Sequence, residues 1–247
     1  MTSPTTSSRQ RIYNSTGQGY ESGRYGERHM TDYRTVRNDT LRRICRENFG
    51  ERPLRILEVG CGTGLSLQFL AQDTVRHTLF GMDASLTMLL QAAQKASAVE
   101  NSPKLALADA ARLPYATGQF DVLFATRFIH QFPHEMKRQL WAEFQRVVKS
   151  QGVIVVEFYA RPYHWLRYQF GAGKGKSREE YFLHYPTRKE VEQVVGQPFR
   201  IYPLRLAGAR LMASFVGSGQ MQRLTEAGGR ALGGLLLDEY FLAARTP

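Results

Sequence analysis

Leu57-Glu58-Val59-Gly60-Cys61-Gly62-Thr63-Gly64 is the stretch that decides the fold. It closes a strand-like run from Leu54 to Val59 and opens a helical pattern from Leu65 to Gln72. Gly60, Gly62 and Gly64 follow a G-x-G-x-G pattern. Glycines at a strand-to-helix turn let the chain fold tightly and bring backbone close to a ligand. The dinucleotide fingerprint is G-x-G-x-x-G, and where its third glycine would stand this chain has Leu65.

Outward from that turn, short apolar runs alternate with helical patterns. His77 to Met82 reads as a second strand, Lys104 to Ala108 as a third, Phe120 to Ala125 as a fourth and Gly152 to Phe158 as a fifth. Between them, Ala84 to Ala98 reads as a helix with Ser85 as N-cap, and Pro133 to Lys149 as another with its proline in the first turn. Apolar strands separated by helices predict a parallel sheet covered on both faces. Ligands bind such sheets past the carboxyl ends of the strands. Asp83 stands there, nineteen residues after Gly64, where a carboxylate can accept both hydroxyls of a ribose. Asp109 follows the third strand, where it can accept from an exocyclic amine. The plainer readings are a helix-terminus charge for Asp83 and a turn-forming aspartate for Asp109. Three features at three successive strand ends favour a nucleoside-sized crevice.

The whole set resembles the class I S-adenosylmethionine (SAM)-dependent methyltransferases. Glu58 to Gly64 resembles their motif I, and Gly81-Met82-Asp83-Ala84-Ser85 with Met88-Leu89 their second motif. Asp109-Ala110, Leu113-Pro114-Tyr115 and Phe120-Asp121-Val122 resemble the stretch through the fourth strand, and Arg127 to Pro133 the loop after it. The likeness spans residues 53–160 and Tyr240 to Ala244, and is nearest to small-molecule enzymes of the ubiquinone and menaquinone biosynthesis type. It implies a Rossmann-like α/β fold: a seven-stranded sheet with helices on both faces and the last strand antiparallel. It implies SAM as cofactor, with Gly60, Cys61, Gly62 and Gly64 at the methionine moiety, Asp83 and Ala84 at the ribose, and Asp109 and Ala110 at adenine. Glu58 would orient the loop, or the methionine amine through water. The organisation expected is a disordered tail and N-terminal helical cap (1–52), a SAM-binding core (53–160), an acceptor-side insertion (161–197), and helices and strands completing the sheet (198–247).

The chain has 247 residues and a net charge of +11, of which residues 1–52 carry +4, residues 53–160 carry +1 and residues 161–247 carry +6. A basic periphery attracts phosphates, anionic lipid or acidic substrates, or simply keeps a protein soluble. No apolar run approaches the ~20 residues that span a bilayer, and Met1 to Ser8 lacks the apolar segment of a secretory signal, so a cytoplasmic location is expected. Cys45 and Cys61 form neither a CxxC pair nor an expected disulfide. The loop Thr126-Arg127-Phe128-Ile129 lacks the [DN]-P-P-[YF] that, by family resemblance, marks methylation of base amines. No cluster of acids resembles a catechol-type metal site, so no metal is expected. The acceptor expected is a small organic or lipid-like molecule; the alternatives are RNA, or a protein that binds SAM without turnover.

Several residues carry two readings. His130, after the fourth strand, is a candidate general base or a loop-fixing histidine. Arg34 and Arg37 read better as a solvated helix face than as ligands of the SAM carboxylate or an anionic acceptor. Tyr20, Tyr25 and Tyr33 lie in a region that, by resemblance, covers the cofactor. Tyr159, Tyr163, Trp165, Tyr168 and Phe170 could wall an acceptor pocket or pack a cap. The 171–177 Gly/Lys stretch lacks the first glycine of a P-loop and follows no strand. Residues 204–237 mix apolar and basic character, suited to peripheral membrane contact or to a packed amphipathic helix.

Overall fold

The computed structural model describes residues 28–159, 186–206 and 237–247. Helix α1 (Arg28–Phe49) leads into β1 (Arg55–Val59), α2 (Leu65–Ala71), β2 (Thr78–Asp83), α3 (Leu86–Ala96), β3 (Lys104–Leu107) and β4 (Phe120–Ala125). A single 3-10 turn (Ile129–Gln131) precedes α4 (His134–Val147) and β5 (Val148–Tyr159); α5 (Arg188–Val195), β6 (Phe199–Leu206) and β7 (Leu237–Arg245) come after them.

The seven strands form one sheet in the order β3-β2-β1-β4-β5-β7-β6. The first five are parallel, and β7 runs antiparallel to both β5 and β6. The Rossmann-like fold expected from the motifs is therefore present, with the last strand reversed. The order turns back at β1, where β2 lies on one side and β4 on the other, so β1 and β4 open a crevice at their carboxyl ends.

Strand alternation builds two cores. Ile154, Val156 and Phe158 of β5 pack with Leu140, Trp141 and Phe144 of α4 and with Val191 and Val195 of α5. Val153 and Val155 face the other way, onto Leu41 and Ile44 of α1 and Leu67 and Leu70 of α2. Every residue of β4 is buried, as a central strand covered on both faces requires. Tyr240 and Leu242 of β7 join the first core and Phe241 and Ala243 the second, so the C-terminal strands share the core of the N-terminal ones.

Local signals set the helix ends. Ser85 Oγ accepts from the Met88 amide, as an N-cap should. Thr187 and Glu190 make a reciprocal capping box at the start of α5, and Gly196 ends it in the left-handed region. Pro133 is the N-cap of α4 and lies one residue outside the expected first turn. β5 starts four residues earlier than its apolar run, because Val148 pairs with Phe120 before a register shift. Of the helical pattern expected across residues 208–237, Leu237 instead opens β7 and the rest lies outside the described residues, as do the 171–177 loop, Tyr20, Tyr25 and the aromatics from Tyr163 to Phe170.

Candidate functional site

The glycine turn sits where β1 ends. Gly60 and Cys61 both donate their amides to the Met82 carbonyl at 2.9 Å, tying the turn to β2. Gly60, Gly62 and Gly64 all have positive φ, but for different neighbours. A Cβ on Gly60 would stand 2.3 Å from the Phe128 ring, so Gly60 makes room for the loop after β4. A Cβ on Gly64 would press on Ala92 of α3 at 3.1 Å. Of the three, Gly62 is the one whose Cβ would meet nothing within 4 Å among the described residues.

Asp83 faces this turn. Its Oδ2 accepts the Gly62 amide at 2.9 Å and its Oδ1 the Ser85 amide at 2.8 Å. Burial raises its pKa, and the amides of Ser85, Gly62 and Ala84 oppose the rise. A carboxylate offers about four lone-pair sites, so with three amides drawn to it Asp83 keeps room for a further donor. Ala84 is half-buried beside it. Asp109 is exposed just past β3, and its Oδ1 accepts the Ala111 amide at 2.9 Å, the turn-forming geometry. The Ala108 amide binds the Asp83 carbonyl, which brings the Asp109 turn beside the end of β2. Ala110 is buried in the sheet core. The Cys61 thiol is buried against α1 and α2, and burial drives its pKa up, so it packs and does not react.

Glu58, 2% exposed, stands on the α1 face of β1 two residues before Gly60. The Thr126 hydroxyl donates to its Oε1 at 3.0 Å, while Oε2 is buried with no hydrogen-bond partner among the described residues. Burial pushes its carboxyl up to about 8; Arg37 and Thr126 pull it down, Asp83 pushes it up and Ser66 pulls it down.

Sequence reasoning missed two partners in this cluster. Arg37, read as a solvated position, is 3% exposed, and its guanidinium lies 4.0 Å from Glu157 Oε2. Glu157 is fully buried near the end of β5, and its Oε2 also accepts the Arg127 amide at 3.1 Å. The available signal was a lone carboxylate inside the apolar run Gly152 to Phe158, since a buried charge persists only where something pairs it. His130 is half-buried in the 3-10 turn, its ring 4.7 Å from the Tyr159 ring and edge-on to it. Tyr159 pairs across strands with Glu239 of β7, which is buried too. His130, Tyr159 and Glu239 thus share the carboxyl edge of the sheet. Among the described residues no group of His, Cys, Asp and Glu is arranged to hold a metal ion.

A family described as a methyltransferase domain matches residues 56–152. A malonyl-[acyl-carrier protein] O-methyltransferase of Legionella pneumophila is 36% identical over 103 residues, covering 42% of this chain and 35% of that protein. A phosphatidylethanolamine N-methyltransferase of Cereibacter sphaeroides is 29% identical over 164 residues, covering 65% and 77%. The crystal structure of magnesium protoporphyrin IX methyltransferase from Synechocystis with bound SAH superposes with a TM-score of 0.66 at 16% identity, covering 98% of this chain and 99% of that one. The first curated relatives are matched over only about a third of their own length.

Proposed function

We propose that this chain, whose residues 56–152 match a family described as a methyltransferase domain, transfers a methyl group from SAM to a small organic or lipid-like acceptor. The observation that carries the reading is the unpartnered Glu58 Oε2 at the bottom of the crevice. A buried carboxylate oxygen without a donor is costly unless a ligand brings N–H groups or positive charge to it. SAM carries both, as an ammonium and a sulfonium. The neighbouring residues suit its other parts: Gly62 offers open backbone, Asp83 two acceptor oxygens for ribose hydroxyls, and Asp109 with Ala110 a turn for adenine. What supports the acceptor class is that the Legionella and Cereibacter relatives are named for an acyl and a phospholipid acceptor.

SAM supplies an activated methyl group on its own sulfur, so the chain need only bind, orient and exclude water. Glu58 and Asp83 hold the two polar ends of the donor. Phe128, packed into the space left by Gly60, closes the cofactor side of the loop after β4. His130, on that loop and against Tyr159, stands where an acceptor proton could be taken up. Near-attack positioning of donor and acceptor then supplies much of the rate.

The test uses SAM with a tritiated methyl group, incubated with the protein and separate lipid, metabolite and RNA fractions. Label should enter the lipid or small-metabolite fraction. Label in RNA alone would replace the acceptor class, and no calorimetric heat with SAM or with S-adenosylhomocysteine would overturn the reading entirely. His130→Ala should leave S-adenosylhomocysteine affinity unchanged and cut turnover roughly 100-fold if His130 is the base.

A further inference from the structure

The loop after β4 begins with a conformation that side chains avoid. Arg127 has φ of 52°, in the left-handed region, although it is not glycine. Such a residue costs free energy and persists only where its surroundings hold it. Here the holder is visible. Glu157 Oε2 accepts the Arg127 amide at 3.1 Å, and Arg37 of α1 approaches the same oxygen at 4.0 Å. Glu157 and Arg37 are both almost wholly buried, so the carboxylate has little freedom to turn away.

The residues flanking this turn give it a purpose. Thr126, just before it, donates to Glu58, and Phe128, just after it, fills the space above Gly60. The Gln131 side-chain amide returns to the Arg127 carbonyl at 3.0 Å, and His130 meets Tyr159. Within a few residues the loop runs from the cofactor crevice to the acceptor edge, and its direction is set at Arg127.

We propose that Glu157, steadied by Arg37, is a positioning residue that fixes the Arg127 turn and through it aims the cofactor-to-acceptor loop. The proposal rests on the methyltransferase reading for what the loop serves, but its geometry can be tested without an acceptor. The step it describes is mechanical: the Glu157 carboxylate offsets the strain at Arg127, and no bond is made or broken.

The experiment is a rescue. Glu157→Leu should raise amide hydrogen exchange over residues 126–132 about tenfold, the fold-change matching loss of support for one left-handed residue. Exchange in α5 and in β1 should stay as in the unmodified protein. Adding Arg127→Gly or Arg127→Asn, residue types that tolerate positive φ, should bring loop exchange back to within about threefold of the original. Glu157→Gln keeps an acceptor oxygen and should leave the loop protected. If Glu157→Leu fails to fold because the buried Arg37 loses the Glu157 carboxylate, the paired Arg37→Leu/Glu157→Leu protein removes both charges and is read in the same way. Label transfer from tritiated SAM to the lipid and metabolite fractions should fall and recover with the loop, while S-adenosylhomocysteine affinity in Glu157→Leu stays within about threefold. Exchange rising equally throughout the molecule, or no recovery with glycine or asparagine at 127, would overturn the proposal. Absence of S-adenosylhomocysteine binding in the unmodified protein would instead defeat the methyltransferase reading and leave the exchange result to stand.

Discussion

Glu58→Gln tests the electrostatics of the crevice more sharply than any other substitution. Burial holds the Glu58 carboxyl up to about 8, from an ordinary 4.5, although Arg37 and Thr126 favour its ionised form. In the unfolded chain this glutamate is ionised above about pH 4.5. In the folded protein it stays protonated until about pH 8. Folding therefore takes up a proton between those limits, so stability falls as pH rises from 4.5 to 8 and stays low beyond. The full displacement corresponds to ~5 kcal/mol at pH 8 and above, and to ~3 kcal/mol at pH 7. Glutamine has nearly the shape of the neutral acid and never ionises, so it avoids this loss. It also places an amide N–H where Oε2 has no partner, which costs ~1–2 kcal/mol. The net expectation is a variant ~1–2 kcal/mol more stable than the original at pH 7 and slightly less stable near pH 5.

Urea unfolding at intervals from pH 5 to pH 8.5 measures this directly. The two stability profiles should cross near pH 6, with a difference that changes by up to about 1.4 kcal/mol per pH unit. The same variant should bind SAM more weakly by roughly 10- to 100-fold, because the neutral amide cannot supply the anion that a cationic ligand draws out of Glu58. Stability gained and binding lost at one residue is the signature of a group kept for function. Parallel profiles between pH 6 and pH 8 would show that Glu58 is already ionised in the folded protein, and the argument from its unpartnered oxygen would fail.

Three further outcomes are expected. Asp83→Ala removes the acceptor for the Gly62 and Ser85 amides and, by the proposed reading, for the ribose hydroxyls; calorimetry should show S-adenosylhomocysteine affinity reduced roughly 100-fold, and unchanged affinity would count against the ribose assignment. Gly60→Ala puts a methyl group 2.3 Å from the Phe128 ring at a φ of 70°, so a loss of ~2–4 kcal/mol is expected in denaturant, with part of it recovered by Phe128→Ala. Lys137, buried on α4 with its pKa lowered by burial to about 8 from 10.5 against the pull of Glu190, binds fewer protons folded than unfolded between those values. Stability should therefore rise with pH from 8 to 10.5, and Lys137→Met should abolish that rise and stabilise the protein by ~1–3 kcal/mol at pH 7.

The fold was legible because its signals are local and periodic. Phe120–Ala125 reads as a buried strand and is one, and Ser85 caps the helix it precedes. The reversed β7 came from resemblance alone, since nothing in Leu237–Arg245 states which way a strand runs. The start of β5 was less legible, because Val148 to Gln151 pair through a register shift that no hydrophobic pattern encodes. The glycine turn was legible in position but not in cause. Its sequence could not tell that Gly60 yields to a phenylalanine 68 residues onward and Gly64 to a neighbouring helix.

The same distinction explains the site. Glu58 and Asp83 are marked by their places beside glycines and at strand ends, so one segment of sequence suffices to find each. Arg37, Glu157 and Arg127 gain their roles only when α1, β5 and the loop after β4 meet, and those segments are separated by about 30 to 120 residues. An arginine at a helical spacing of three looks solvated until a buried carboxylate is found opposite it. That meeting joins the two halves of the chemistry: Arg37 draws on Glu58 from one side and touches Glu157 on the other. By the proposed reading, a change in charge at Glu58 is therefore felt, through Arg37, by the Glu157 carboxylate that accepts the Arg127 amide. Filling the crevice with S-adenosylhomocysteine should accordingly slow amide exchange at Arg127 in the original protein, and should slow it less when Glu58 is replaced by glutamine.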